Sequence, residues 1–189
     1  MRTRFHKFFS YIIYCFNERG AKMRREEIDN TSRVAYLIRQ QAPSAIACIE
    51  GRQDYPDLCG SVLFYPISGG VIMIAEIFGL PNLAGSFGFP VFGFHIHEGS
   101  SCTGNANDPF ANTGGHFNPD SLPHPYHAGD LPPLFSNRGY AWQAFITSRF
   151  RIDEIIGRTI VIHSQPDDFR TQPAGNTGAK IACGVIEAN

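Results

Sequence analysis

Short apolar or alternating runs, separated by Gly, Pro, Asn and Asp, follow one another from Pro43 to the end of the chain. Runs of this length and alternation are typical of strands in an antiparallel all-β domain. The predicted strands are 45–50, 61–66, 71–78, 91–98, 140–147, 159–163 and 180–186. The segment Ser68-Gly69-Gly70 predicts a tight hairpin between the second and third strands. Seven or eight strands of this kind suit a sandwich or a flattened barrel.

Two long segments interrupt this strand pattern. Residues 99–133 are too rich in Gly, Pro, Asn and His for regular structure, and residues 164–179 form a second irregular stretch. Loops longer than about 15 residues are uncommon in compact domains, and ordered ones usually carry function. We therefore expect the chemistry of this protein to lie in these two loops, held by the strands around them.

The 189 residues predict one domain, 44–189, preceded by an N-terminal extension, 1–43, that is flexible or partly helical. Basic residues precede an apolar stretch at 8–16, which resembles a secretory signal only weakly because no small-x-small cleavage site follows. That stretch is too short for a bilayer, which requires about 20 apolar residues. Translation from Met23 is an alternative. The sequence favours the cytoplasm, with export to the cell envelope as the alternative.

Charge and cysteine content exclude several classes of protein. The formal net charge is −1 and no basic stripe is present, which argues against a nucleic-acid-binding protein. The five cysteines are an odd number, so at least one is free or pairs with another chain. The absence of a CxxC pair argues against zinc ribbons and thioredoxin-like redox motifs, whereas one disulfide between distant segments is compatible with the sequence.

The histidines are concentrated in and beside the two long loops. All except His6 lie between positions 95 and 163. His95 and His97 are two residues apart in a predicted strand, so their imidazoles share one face. His163 ends another strand, on the face opposite to its apolar neighbours. These strands therefore present imidazoles that could clamp a metal ion.

The remaining candidate ligands lie between these strands. The two candidate groups are His95, His97 and His163 on strands, and His124, His127 and Asp130 in the first loop, with His116 between them. Imidazole nitrogen suits copper and zinc, and three imidazoles with one carboxylate complete a tetrahedral zinc shell. A single loop histidine is usually a solvated polar residue, and an H-x-H pair often arises by chance. The joint pattern favours binding of two metal ions.

Five segments resemble, in order and spacing, the successive motifs of copper-zinc superoxide dismutases. They are GFHIHE at 93–98, GHFNP at 115–119, HAGDL at 127–131, GRTIVIH at 157–163 and ACGVI at 182–186. The resemblance covers about residues 44–187. It implies an eight-stranded Greek-key barrel with one copper and one zinc ion, which disproportionates superoxide to oxygen and hydrogen peroxide. The long first loop, with 103–113 inserted, resembles that of bacterial members.

The resemblance also implies a role for each matching residue. The implied copper ligands are His95, His97, His116 and His163, and the implied zinc ligands are His116, His124, His127 and Asp130. His116 would bridge the ions and accept a proton during catalysis. Asp167 would orient one histidine of each metal by hydrogen bonds, and Cys102 and Cys183 would form a disulfide. Cys48 and Cys59 match no part of the site.

One position departs from the family. The family usually has an arginine three residues before its last cysteine, where the resemblance implies a cation that guides the anionic substrate, and this chain has Lys180. Lysine retains the positive charge but lacks the planar fork of donors. We therefore expect His116 and Lys180 to act in catalysis, in an enzyme that is slower than those with arginine.

Two other functions are alternatives to dismutation. A non-catalytic member of the family, either a copper carrier or a zinc scaffold, is the main alternative, but the complete set of copper ligands argues against it. A zinc hydrolase requires an open position on zinc, which a shell of four protein ligands does not leave. The expected partner is the superoxide anion. The sequence leaves the oligomeric state open, including a homodimer.

Overall fold

The computed structural model describes residues 40–81 and 90–189, together with Tyr36 and Ile38. The regular structure of these residues is mainly strand, with a short helix, α1 (Ile152–Ile155), a turn of 3-10 helix (Ala111–Thr113) and helical backbone at Tyr36, Ile38 and Gln40. The strands are β1 (Ala45–Gly51), β2 (Cys59–Ile67), β3 (Gly70–Phe78), β4 (Val91–Phe92), β5 (Phe94–His97), β6 (Leu134–Phe135), β7 (Ala141–Thr147), β8 (Thr159–His163) and β9 (Lys180–Ala188).

Seven of the strands form a single antiparallel sheet in the order β5-β8-β9-β1-β2-β3-β7, and β4 pairs separately with β6. The C-terminal strand β9 therefore lies between β1 and β8, so both ends of the domain contribute to the middle of the sheet. This arrangement confirms the predicted all-β fold class. Six of the seven predicted strands are present as single strands, and the run 91–98 is present as two.

The hairpin of β2 and β3 follows directly from the sequence. Both strands are rich in β-branched and aromatic residues, which fit a pleated sheet. They pair from Cys59 with Phe78 to Ile67 with Gly70. The connection needs a left-handed residue, and Gly69 has a φ of 84°. The tight turn predicted at 68–70 is thus confirmed.

Alternation along the strands separates the core from the candidate ligands. Phe94 and Ile96 on β5 are fully buried in the core, together with Ile160 and Ile162 on β8. Each such side chain contributes about 1.5–3 kcal/mol by its removal from water. Because neighbouring side chains of a strand point to opposite faces, burying these residues turns the intervening histidines of β5 away from the core, as the pattern predicts.

One predicted strand differs from the structure. The run 91–98 is divided at Gly93 into β4 and β5. The backbone N–H of Gly93 donates to the carbonyl of Gln165 (2.8 Å), and its carbonyl accepts the N–H of His163 (2.8 Å), so this residue pairs with the start of the second loop. Strand β6, the partner of β4, has only two residues and is too short for a periodic signal. Other strand ends agree with the predictions to within two residues.

The two predicted loops are confirmed as largely irregular. The first contains only the 3-10 turn and isolated bridges, and residues 164–179 contain neither helix nor strand. Residues 42–189 form one compact unit. The predicted extension 1–43, with its proposed leader and alternative start, lies almost wholly outside the described residues, so that division stays a prediction. Within the described part of the chain, no helix has the length and apolar character needed to cross a membrane.

A disulfide joins the first loop to the sheet. Cys102 and Cys183, which are 81 positions apart, are bonded, as the family resemblance implied. Phe110 and Val161 pack around the bond in a small apolar cluster. The disulfide therefore holds the start of the first loop against β8 and β9.

We expect Cys102→Ser to lower the free energy of unfolding by about 2–5 kcal/mol, because the bond constrains a long segment of the unfolded chain. Denaturant unfolding of the metal-free protein measures this difference. Cys59→Ser is the matched control, since Cys59 is an exposed thiol outside the bond. Equal stability of Cys102→Ser and the control would contradict a stabilising role for the disulfide.

Candidate metal centre

Two groups of four side chains bring potential ligand atoms within 4.8 Å of one another. The first group contains His95, His97, His116 and His163, and the second contains His116, His124, His127 and Asp130. Every member of both groups is buried, with at most 7% of its surface exposed. The structure therefore brings together all seven residues that the sequence singled out, and His116 alone belongs to both groups.

Two neighbouring strands supply most of the first group. Strand β5 pairs antiparallel with β8, with His95 opposite Val161 and His97 opposite Thr159. A register irregularity follows Ile162, so His163 lies where β8 leaves regular pairing. The Nε2 atoms of His97 and His163 are 3.2 Å apart. Rigid strand backbone thus directs imidazoles from distant parts of the sequence to one point.

The first loop returns to β5 and delivers the second group. The backbone of Ile96 accepts a hydrogen bond from Phe117 N–H (2.8 Å) and donates one to the carbonyl of Gly129 (2.9 Å). These bonds fix the neighbouring residues His116 and Asp130 beside the strand. A Cβ atom at Gly129 would lie 2.2 Å from the carbonyl oxygen of Ile96, so only glycine permits this close approach.

Hydrogen bonds orient three of the imidazoles. The carboxylate of Asp167 accepts from His95 Nε2 and His124 Nε2, both at 2.9 Å, and the carbonyl of Gly114 accepts from His97 Nδ1 at 2.9 Å. Each bond assigns the proton to one nitrogen, leaving the lone pair of the other nitrogen for a ligand. Asp167 is buried and contacts one histidine of each group. Asp167 therefore links the two groups, and its role in orienting metal ligands stays a prediction.

The donor atoms fit metal ions. Among the described residues, the buried atoms His95 Nδ1 and His116 Nε2 have no hydrogen-bond partner. Buried polar atoms are nearly always satisfied, and an unsatisfied one costs about 1–3 kcal/mol. A cation between the imidazoles would satisfy these lone pairs. Four nitrogens suit copper, whereas three nitrogens and a carboxylate oxygen suit zinc.

The second group is also a compact charge cluster. Asp130 Oδ1 lies 2.7 Å from His116 Nδ1 and 3.3 Å from His127 Nδ1, and Oδ2 lies 3.2 Å from His124 Nδ1. Burial by itself would raise the pKa of Asp130, but hydrogen bonding to His116 and the nearby histidines leaves that pKa lowered. The carboxylate is therefore ionised at neutral pH and available to a cation.

Burial keeps the strand histidines neutral. It holds the pKa of His97 well below its usual range, and repulsion from His163 and His116 lowers it further. Burial likewise holds the pKa of His163 well below normal, with His95 adding to the effect. A neutral imidazole has a lone pair for a metal, whereas a protonated one does not. His97 and His163 therefore have lone pairs available for a metal ion.

Two supporting residues were not found by sequence reasoning. Arg149 Nη1 lies within donating distance of the carbonyls of Pro125 (3.3 Å), His127 (3.3 Å) and Asp130 (3.0 Å). The side-chain amide of Gln172 accepts from the N–H of His124 (3.0 Å) and donates to its carbonyl (2.7 Å). Neither residue carries a sequence signal, because each acts on loop backbone that only folding brings near.

Lys180 begins β9, directly across from His163 on β8. Its Nζ atom lies 3.0 Å from Asp108 Oδ2 and 3.2 Å from the carbonyl oxygen of Phe110. The side chain is only 15% exposed. The cation therefore lies beside a histidine of the first group and is also paired with a carboxylate of the first loop, and its role in catalysis stays a prediction.

Comparison with known proteins agrees with this geometry. The family model "Copper/zinc superoxide dismutase (SODC)" matches residues 59–186. The copper-zinc superoxide dismutase of Deinococcus radiodurans is 35% identical over 147 residues, which cover 68% of this chain and 77% of that protein. Superoxide dismutase [Cu-Zn] 2 of Aquifex aeolicus is 32% identical over 145 residues, covering 69% and 80% of the two chains.

A solved structure gives the same result. The Cu/Zn superoxide dismutase from Brucella abortus superposes with a TM-score of 0.63 and 26% identity, covering 76% of this chain and 99% of that one. The fold and the two groups of candidate ligands therefore define a Greek-key barrel protein of the superoxide dismutase type. This chain belongs to the copper/zinc superoxide dismutase family, and its relatives include bacterial proteins, as the long first loop predicted.

We expect the metal-free protein to lose stability as the pH falls from about 7 toward 5. The folded-state pKa values of His95, His97 and His163 are lowered, whereas in the unfolded chain these groups take up protons near pH 6.5. Below pH 7 the unfolded state therefore binds more protons than the folded state. For each of these histidines, the free energy of unfolding falls by at most about 1.4 kcal/mol per pH unit.

Denaturant unfolding at pH 7.5, 6.5 and 5.5, after removal of metals with a chelator, measures this dependence. The range from pH 7.5 to 8.5 is the internal control, because His95, His97 and His163 are almost wholly neutral in both states there. The same free energy of unfolding at pH 5.5 and 7.5 would contradict the expectation.

Proposed function

We propose that this chain is a superoxide dismutase that holds one copper and one zinc ion and converts two superoxide anions and two protons into oxygen and hydrogen peroxide. The observation that carries the proposal is the pair of buried four-ligand groups that share His116. The family relationship supports the same reaction.

We assign copper to the first group and zinc to the second. All four ligands of the first group are imidazoles, a donor set that suits a redox-active copper ion. The second group adds the ionised carboxylate of Asp130, which completes a typical closed zinc shell. When bound, copper supplies the one-electron oxidation and reduction of superoxide, and zinc, which has no redox chemistry, organises the site.

The residues of the chain position the ions and move the protons. Asp167 holds His95 and His124 in fixed orientations, so the two groups keep a constant relation. We assign His116 Nε2 as the atom that takes up and returns a proton, since it is buried and without a hydrogen-bond partner among the described residues. Lys180, beside His163, is assigned as the cation that attracts the anionic substrate.

We expect the purified chain, after loading, to hold one copper and one zinc ion and to consume superoxide. His163→Asn is expected to reduce copper content and activity while zinc is retained, because His163 belongs only to the first group. His124→Asn is the matched variant and is expected to reduce zinc content with copper largely retained. Elemental analysis and a superoxide assay measure both effects.

These measurements distinguish a dismutase from the non-catalytic alternative. Full loading with both metals but without consumption of superoxide would favour the non-catalytic alternative. Failure to bind copper stoichiometrically would refute the dismutase proposal. Sedimentation of the same samples measures the oligomeric state, for which a homodimer is the proposed form.

We expect Lys180→Glu to lower the rate of superoxide consumption by about tenfold or more at low ionic strength, because it reverses the attracting charge. Lys180→Arg keeps the charge and adds a planar set of donors, so its rate is expected to equal or exceed that of the unaltered chain. Arg138→Glu, the same charge reversal at an exposed turn residue, serves as the control. Equal rates for Lys180→Arg, Lys180→Glu and the unaltered chain would refute a guiding role.

A further inference from the structure

The cation beside the candidate copper group is bound on two sides by the first loop. Lys180 Nζ lies 3.0 Å from Asp108 Oδ2 and 3.2 Å from the carbonyl oxygen of Phe110. An ammonium group has three donors. Two of them are therefore engaged with the loop, which leaves one N–H for an anion.

The loop holds Asp108 rigidly in this position. Asp108 Oδ1 accepts the backbone N–H of Phe110 (3.0 Å), and its own N–H donates to Asn105 Oδ1 (3.1 Å). Its carbonyl accepts the N–H groups of Asn105 (2.9 Å) and Ala111 (3.0 Å). The disulfide at Cys102 anchors the same segment to β9, on which Lys180 lies. The carboxylate thus belongs to a locally bonded structure and does not depend on Lys180 for its place.

We propose that Asp108 is a positioning residue that fixes the Lys180 ammonium beside the copper group and cancels part of its charge, so that this carboxylate sets how strongly the site attracts superoxide. The proposal rests on the proposed dismutase function. Asp108 lies in the segment 103–113, which is an insertion in the first loop according to the family resemblance.

The physical effect of the pair depends on distance. Two opposite charges 3.0 Å apart form a dipole, whose field decreases faster with distance than that of a single cation. Screening is substantial beyond about 8 Å at physiological ionic strength. An anion approaching from solvent therefore meets less attraction than an unpaired lysine would provide. At contact, the third donor of Lys180 still allows a hydrogen bond to the anion.

This electrostatic effect predicts how the rate of superoxide consumption changes when Asp108 loses its charge. Asp108→Asn retains an oxygen acceptor and similar shape but removes the negative charge. The rate of superoxide consumption at low ionic strength is expected to rise about two- to fivefold and to decrease more steeply as salt is added. The dissociation constant of azide, a small anion that binds copper(II), is expected to fall by a similar factor in the copper- and zinc-loaded protein.

Asp153→Asn is the matched control. Asp153 is also paired with a cation, Arg151, and the substitution changes net charge by the same amount at α1. The control is expected to leave the rate, its salt dependence and azide binding unchanged. Asp108→Ala removes the acceptor as well as the charge, so its rate is expected to lie below that of Asp108→Asn; a rate equal to or above that of Asp108→Asn would overturn the positioning role.

The remaining outcomes are equally distinct. Weaker azide binding in Asp108→Asn, or the same results as in Asp153→Asn, would overturn the proposal. If the unaltered loaded protein consumed no superoxide, the dismutase function would fail, while azide titration of the bound copper would still decide the role of Asp108.

Discussion

The structure depends on the burial of seven candidate ligand side chains, whose ligand atoms form two groups that share His116. Buried imidazole nitrogens with no hydrogen-bond partner among the described residues, and like nitrogens facing one another at 3.2 Å, are unfavourable in a protein interior unless a cation lies between them. The surrounding fold must therefore hold these groups together against desolvation and mutual repulsion. The strands, loops and disulfide around the site all contribute to this restraint.

The restraint is built in layers. The apolar residues of β5 and β8 fix the two strands, and their alternation sets the direction of the histidines. Backbone hydrogen bonds to Ile96 then hold both ends of the ligand-bearing segment beside β5. Asp167, from the second loop, joins the two groups through one carboxylate. Each long loop is therefore irregular in backbone conformation but tightly fixed, because its polar groups are bonded to the sheet or to one another.

Charge at the edge of the site is determined by the same loop that carries the ligands. The usual arginine is replaced by Lys180, whose ammonium lacks the planar fork of donors and pairs with Oδ2 of Asp108. The departure from the family and the inserted segment are thus connected through one ion pair. The affinity of the site for anions follows from both positions together.

The sequence by itself determined the all-β class, the seven main strands, the two loops and every candidate ligand, because strand alternation and the histidine spacing are local properties of the chain. It did not predict the division at Gly93, the short strand β6, or the roles of Arg149, Gln172 and Asp108. These features arise from contacts between residues far apart in sequence, such as Lys180 and Asp108, which are separated by 72 positions. Only the tertiary structure decides such contacts, since they depend on how loops return to the sheet and not on local periodicity.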